Sequence, residues 1–274
     1  MLGKLLKHEF RATGRTMLPM LGVLAVLVVL ANLSVRMLDK ELGTFLSILF
    51  VLILILTVVA VTVSEIMPVV VMVQRFYKNL LGSEGYLMHT LPANAHQLVW
   101  SKLIVSSVWM LGTNLVIFLL GGLSVIHLGR LNVGEILRTL PSWGQIMDGL
   151  AQVGVTGGDV TLLLVEMALM VVLVQLAACL HFYAAMSLGH MFTSHKGLMS
   201  VVVFVALSYL FSALGSTLGV AQVPYLEALE IDSFRQSLQV VQAMLGESIG
   251  ATLIQGALFY LATILGLKKG LNLA

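Results

Sequence analysis

Charge is scarce in this chain. Asp, Glu, Lys and Arg make up 10% of its 274 residues and hydrophobic residues 59%, against about 25% and roughly 45–50% in an average soluble domain. That balance excludes a water-soluble fold as the starting point. Cysteine is nearly absent, and the one present, Cys179, lies inside a hydrophobic run. An intrachain disulfide is therefore excluded, and the compartment cannot be read from cysteine pairing. The net charge of +2 is too small to point to nucleic acid. Catalytic signatures are missing too: no G-x-x-x-x-G-K-[ST] phosphate loop, no Gly-rich nucleotide fingerprint, no H-E-x-x-H and no G-x-S-x-G. No catalytic residue and no metal ligand is assigned, and the chain is not expected to be an enzyme by itself.

What the chain does have is apolar runs. They recur from Met17 to Leu267 and raise the mean hydropathy to +1.02. Spans are expected at Met17–Val35, Thr44–Val73, Leu103–Ile126, Val160–Leu188, Leu198–Ala221 and Ile249–Leu267. Each is long enough to cross ~30 Å of hydrocarbon at about 1.5 Å per residue. The second and fourth exceed what a bilayer needs, so they tilt or continue into water, and continuation is expected for the second. The fold class is thus an all-α integral membrane protein with six transmembrane helices.

The few charges give the orientation. With the amino terminus inside, one side carries Lys4, Lys7, Arg11, Arg15, Arg75, Lys78, Lys102, Lys196, Lys268 and Lys269, ten of the fifteen basic residues. Basic residues collect on the cytoplasmic side, so both termini are expected there. The external segments are then 127–159 and 222–248, and within the second Asp232–Glu247 reads as an amphipathic helix. No cleavable signal is needed to explain the start.

Residues 1–16 read as an amphipathic helix on the inner leaflet. Leu2, Leu5, Leu6 and Phe10 fall on one face, and Lys4, Lys7, His8, Arg11 and Arg15 on another. Such a helix either fixes topology alone or also touches a cytoplasmic partner.

The most informative stretch is the cytoplasmic loop 75–102, RFYKNLLGSEGYLMHTLPANAHQLVWSK. Gly82 can end the extension of the second span, Ser83 can cap a new turn starting at Glu84, and Leu91-Pro92 stops it. Asn94 then caps the third span, with Gln97 at the capping-box position. A helix of about two turns follows from this punctuation, exposing some combination of Glu84, Tyr86, Met88 and His89. Aromatic and Met residues there suit docking against protein.

This loop resembles the cytoplasmic loop of type 2 ABC exporter permeases of Gram-positive bacteria, in which an RFY-K-N-LLG-x-EGYL-M-TLP pattern precedes the third span. MLGKLLKHEFRATGR looks like their amino-terminal connecting helix, making Lys4, Lys7, Glu9, Phe10 and Arg11 connecting-helix positions. The resemblance implies a cytoplasmic coupling helix between spans two and three, with Ser83, Glu84, Gly85, Tyr86, Met88, His89 and Pro92 docking a separate ATPase. It implies no cofactor on this chain, with ATP and Mg on the partner. It also implies a second permease, as homodimer or heterodimer, in the bacterial plasma membrane among its lipids. The substrate path would lie between permeases along the second and fifth spans. The fifth carries Ser208, Ser212, Gly215, Ser216 and Gly219, small residues that allow close helix approach.

Two carboxylates fall within the spans. Glu166 in the fourth needs a partner or water, and is either a substrate-path or gating carboxylate or a hydrogen-bonded group packed between helices. Glu65, three residues before Pro68, lies nearer the inner end of the second span, where a charge can reach headgroups. His181, Gln175, Asn114 and Gln255 can hydrogen-bond between helices. His190 and His195 flank a short turn without a zinc-ligand pattern.

These residues lead to the expectation of an ABC exporter permease moving a peptide, lipid or drug of hydrophobic or amphipathic character. The alternatives are an ion- or proton-coupled carrier or channel using Glu166 and Glu65, and a membrane immunity or sensor subunit that does not transport.

Overall fold

A computed structural model describes residues 2–38, 43–82, 94–128, 141–192, 195–227 and 233–270. Among these there are helices and turns but no strand. In chain order they are α1 (Leu2–Leu38), α2 (Thr44–Phe76), α3 (Ala95–Leu128), α4 (Trp143–Gln152), α5 (Gly157–Gly189), α6 (Lys196–Glu227) and α7 (Phe234–Gly270). Six of them, all but α4, are long and apolar enough to cross a membrane. Much of their surface is bare hydrocarbon, including Phe45, Val58, Phe118 and Val201. That surface is what a lipid solvent requires and what water would penalise.

Three elements differ from the sequence expectation. First, the boundary expected between an interfacial helix 1–16 and a span starting at Met17 falls inside α1, which is one helix of 37 residues. Nothing local breaks it. Gly14 is buried against the Trp109 ring, and Pro19 is accommodated inside the helix. Second, the helix expected at Asp232–Glu247 is the first part of α7, which runs unbroken from Phe234 through the last span; Asp232 lies outside the described residues. Third, the segment 127–159 contains α4. Its start is marked by a capping box in which Ser142 and Gln145 exchange hydrogen bonds. A second capping box, Thr156 with Asp159, starts α5.

The second span does continue beyond Val73. After Phe76 the helix widens into a π turn at Tyr77–Leu81, closed by the Gly82 N–H donating to the Tyr77 carbonyl at 2.8 Å. Gly82 ends it, as its position in the sequence indicates. Pro68 lies within α2 and removes the N–H that would bond the carbonyl four residues back. At the other side of the loop α3 starts at Ala95, directly after Asn94, whose carbonyl accepts from Gln97 and Leu98.

The chain divides into two compact units. One comprises Met1–Gln74 and Trp100–Leu140, the other Arg75–Val99 and Pro141–Ala274. In the first, α1 and α3 are joined by a buried ion pair, Lys102 Nζ to Glu9 Oε1 at 2.9 Å. Trp109 Nε1 donates to Thr13 Oγ1 at 2.7 Å, and Asn32 Nδ2 to Ser124 Oγ at 2.9 Å. In the second, α5 packs against both α6 and α7 at glycines. A Cβ at Gly189 would overlap the Ser200 backbone, and one at Gly266 would lie 2.7 Å from Ser187 Cβ. Gln242 Nε2 of α7 donates to the Asp159 carbonyl at 3.0 Å, tying the two helices near the α5 start.

Candidate functional site

The proposed docking positions Ser83, Glu84, Gly85, Tyr86, Met88, His89 and Pro92 lie outside the described residues. The two roots of their loop are described, and both belong to the second unit. On the leading side Phe76 stacks on Tyr183, ring centroids 4.1 Å apart and 13° from parallel, with both side chains fully buried. Tyr77 meets His190 edge-on at 5.7 Å, and Leu80 and Leu81 are buried. On the returning side His96 Nδ1 and Tyr260 Oη share a hydrogen bond of 2.6 Å, beside buried Leu98 and Val99. Both roots of the loop are therefore held by packed rings, against Tyr183 and His190 on one side and Tyr260 on the other.

His190 terminates α5, and its ring is buried. Burial disfavours its charged form and holds it below the ordinary imidazole range; Lys196 adds to this, and a hydrogen bond with the Leu81 backbone opposes it. Its Nδ1 has no partner. Among the described residues no group of three His, Cys, Asp or Glu side chains could hold a metal ion.

The connecting-helix positions separate into two sets. Lys4, Lys7 and Arg11 are exposed, while Phe10 is half-buried near the Trp109 ring and Glu9 is buried in the ion pair with Lys102. The polar contact of this segment is thus made inward, to α3. From the sequence Glu9 is a connecting-helix position and Lys102 one of the cytoplasmic basic residues, with no link between them. The signal available there is that Glu9 and Thr13 are four residues apart and so share a helix face.

Within the spans Glu65 is paired. With its nitrogen turned toward the carboxylate, the Asn114 amide donates to Glu65 Oε1 at 3.1 Å and to Oε2 at 2.9 Å. Both residues are exposed on the first unit, between the equally exposed Val63 and Ile66 of α2 and Leu115 of α3. Glu166, on α5 in the other unit, is half-buried, and its Oε2 is fully buried without a hydrogen-bond partner. A carboxylate bound by an amide can be held in a span; one with a buried oxygen that has no partner is costly there.

On α6, Ser208 is the serine that the fold brings to another polar group. Its Oγ donates to the Phe204 carbonyl at 2.8 Å and lies 3.4 Å from His181 Nε2, which is itself 3.3 Å from that carbonyl. His181 is sandwiched between Phe204 and Phe259 at 4.4 and 4.7 Å, nearly parallel to each. Ser212, Gly215 and Ser216 are exposed, and a Cβ at Gly215 would meet nothing within 4 Å among the described residues. Comparison with protein-family models, with curated proteins and with solved structures gives no match.

Proposed function

We propose that the chain is the permease subunit of a bacterial ATP-binding cassette exporter in the plasma membrane, with both termini cytoplasmic. Hydrolysis of Mg-bound ATP belongs to a separate subunit docked at 83–92, and a second permease completes the path for a hydrophobic or amphipathic substrate. The observation that carries transport is the Glu65–Asn114 pair. It stands on an exposed face of two apolar spans, and hydrocarbon does not solvate a carboxylate. That face is accordingly met by headgroups, protein or water, and a path between permeases would supply the last two. The loop RFYKNLLGSEGYLMHTLP and the missing phosphate loop support the assignment of the ATPase to a partner. The open edge of α6 at Ser212 and Ser216 is a second surface suited to such a path.

The test is co-purification of the tagged chain from its native membrane, followed by transport assays with Glu65→Gln. An ATPase and a second permease should accompany the chain, and Glu65→Gln should lower substrate-stimulated hydrolysis while insertion is retained. Recovery of the chain alone, with wild-type flux, would reject the exporter.

Glu166 supports a second reading, a proton-coupled carrier, because its buried oxygen lacks a partner. In liposomes holding only this chain, an imposed pH gradient should then drive flux that Glu166→Gln abolishes. Flux dependent on added ATPase decides for the exporter.

A further inference from the structure

We infer that an open groove between α1, α2 and α3 is a binding site for one acyl chain of a membrane lipid. This inference is independent of the transport reading. The groove has a volume of about 270 Å³ and is lined by Leu24, Val28, Leu54, Val61, Ile117 and Gly121 among others, none of them charged. All of these belong to the first unit.

The polar side chains beside it are turned to one another and to backbone. Asn32 Nδ2 donates to Ser124 Oγ and to the Val28 carbonyl, and Ser124 Oγ to the Leu120 carbonyl. Thr57 Oγ1 donates to the Ile53 carbonyl at 2.8 Å and reaches the Leu27 carbonyl at 3.2 Å. The Asn32 Oδ1 is buried without a partner, closed off from an occupant as well as from water. The wall that remains is carbon, so selection is for an apolar body and against a phosphate or carboxylate, which would lose its water for nothing.

Size narrows the occupant further. The volume is just under the roughly 300 Å³ at which pockets begin to hold whole small molecules. Room is there for part of one hydrocarbon chain, and the carbon wall turns a headgroup away. Water does not settle in an apolar recess, and an empty one forfeits dispersion contacts along its whole lining. The medium around these three spans is hydrocarbon, and the lining positions fall in the half of the unit toward the Arg36 end of α1, so the chain comes from that leaflet. Gly121 is one of the lining residues and has space beside it, since a Cβ there would meet nothing within 4 Å.

The experiment uses the whole chain in nanodiscs of phosphatidylcholine and phosphatidylglycerol, doped with phosphatidylcholine bearing a diazirine in one acyl chain. After irradiation, adducts are mapped by mass spectrometry. Labelling per residue at Leu54, Ile117 and Leu120 should exceed that at Leu162 and Val171, exposed positions on α5, by about fivefold, a preference of about 1 kcal/mol. Gly121→Leu should remove that excess and leave α5 labelling unchanged. Equal labelling of groove and α5 in the wild type, or an excess that Gly121→Leu leaves intact, would overturn the inference. So would a groove without lipid adducts, whether a second copy or another part of the chain covers it. Should Gly121→Leu fail to fold, the wild-type ratio decides alone.

Discussion

The two units solve the same problem by different means. Lipid offers no hydrophobic drive between helices, because its tails are as apolar as leucine, so association has to come from polar bonds or from close packing. The first unit uses polar bonds: Glu9 with Lys102, Thr13 with Trp109, Asn32 with Ser124, and Glu65 with Asn114. The second adds to a few such bonds, Gln242 with Asp159 and His96 with Tyr260, a larger share of contact: the Phe76–Tyr183 stack, the His181 sandwich, and the approaches at Gly189 and Gly266. The lesson is that each unit has its own weak point, an unpaired charge in the first and an added methyl group in the second.

The largest effect should come from Lys102→Met, which leaves Glu9 buried without its cation. Breaking such a pair costs about 3–5 kcal/mol, and denaturant unfolding in detergent should register it. The double variant Glu9→Gln with Lys102→Met should recover most of the loss. If the double variant is as unstable as the single one, the pair is not what holds α1 on α3.

Gly189→Val comes next. Overpacking costs typically 1–3 kcal/mol, and here the neighbour is Ser200 backbone, which cannot swing away, so about 3 kcal/mol is expected. Protection of α5 and α6 amides in hydrogen exchange should fall, with α1 unaffected. A uniform loss across both units would dissolve the distinction between them.

Trp109→Phe is a smaller probe. It keeps the ring and removes one interhelical hydrogen bond, for which about 0.6 kcal/mol is the membrane average. A thermal midpoint several degrees lower would show that polar bonds carry more in this unit than in membrane proteins at large.

The smallest effect is a pH dependence confined to the second unit. His190 is held below its ordinary value of 6.5, so the unfolded chain takes up a proton before the folded one does. Stability tied to this residue is therefore complete above about pH 6.5 and is lost as pH falls through the lower, folded value. Thermal unfolding between pH 5 and 8, on the order of the imidazole range, should show that decline, and His190→Gln should flatten it. An unchanged slope in the variant would assign the dependence elsewhere.

The spans were legible because length and apolarity are local properties, and so were the ends of the loop, where Gly82 and Asn94 act on their immediate neighbours. What escaped is what depends on a distant partner. Glu9 looks like one charge in a basic stretch until Lys102, 93 positions on, is beside it. Asn114 and Glu65 each looked single for the same reason. The continuity of α1 and α7 was hidden differently. An amphipathic pattern next to an apolar one reads as two elements, although both have the helical period and nothing between them stops the helix. The His181 sandwich was half legible. Its hydrogen-bonding role was expected, but its rings come from α6 and α7.

Pro68 has a mechanical consequence for α2. Without its N–H, the Ser64 carbonyl loses the donor that the helix would supply, and in a span there is little water to replace it. A helix bends where it has fewest bonds to lose, and that place is the turn before Pro68, which also bears Glu65. Bending there would leave the apolar stretch from Thr44 straight and turn α2 at Glu65 itself, so that the grip of Asn114 on the carboxylate lies at the joint of the helix, across from a missing hydrogen atom.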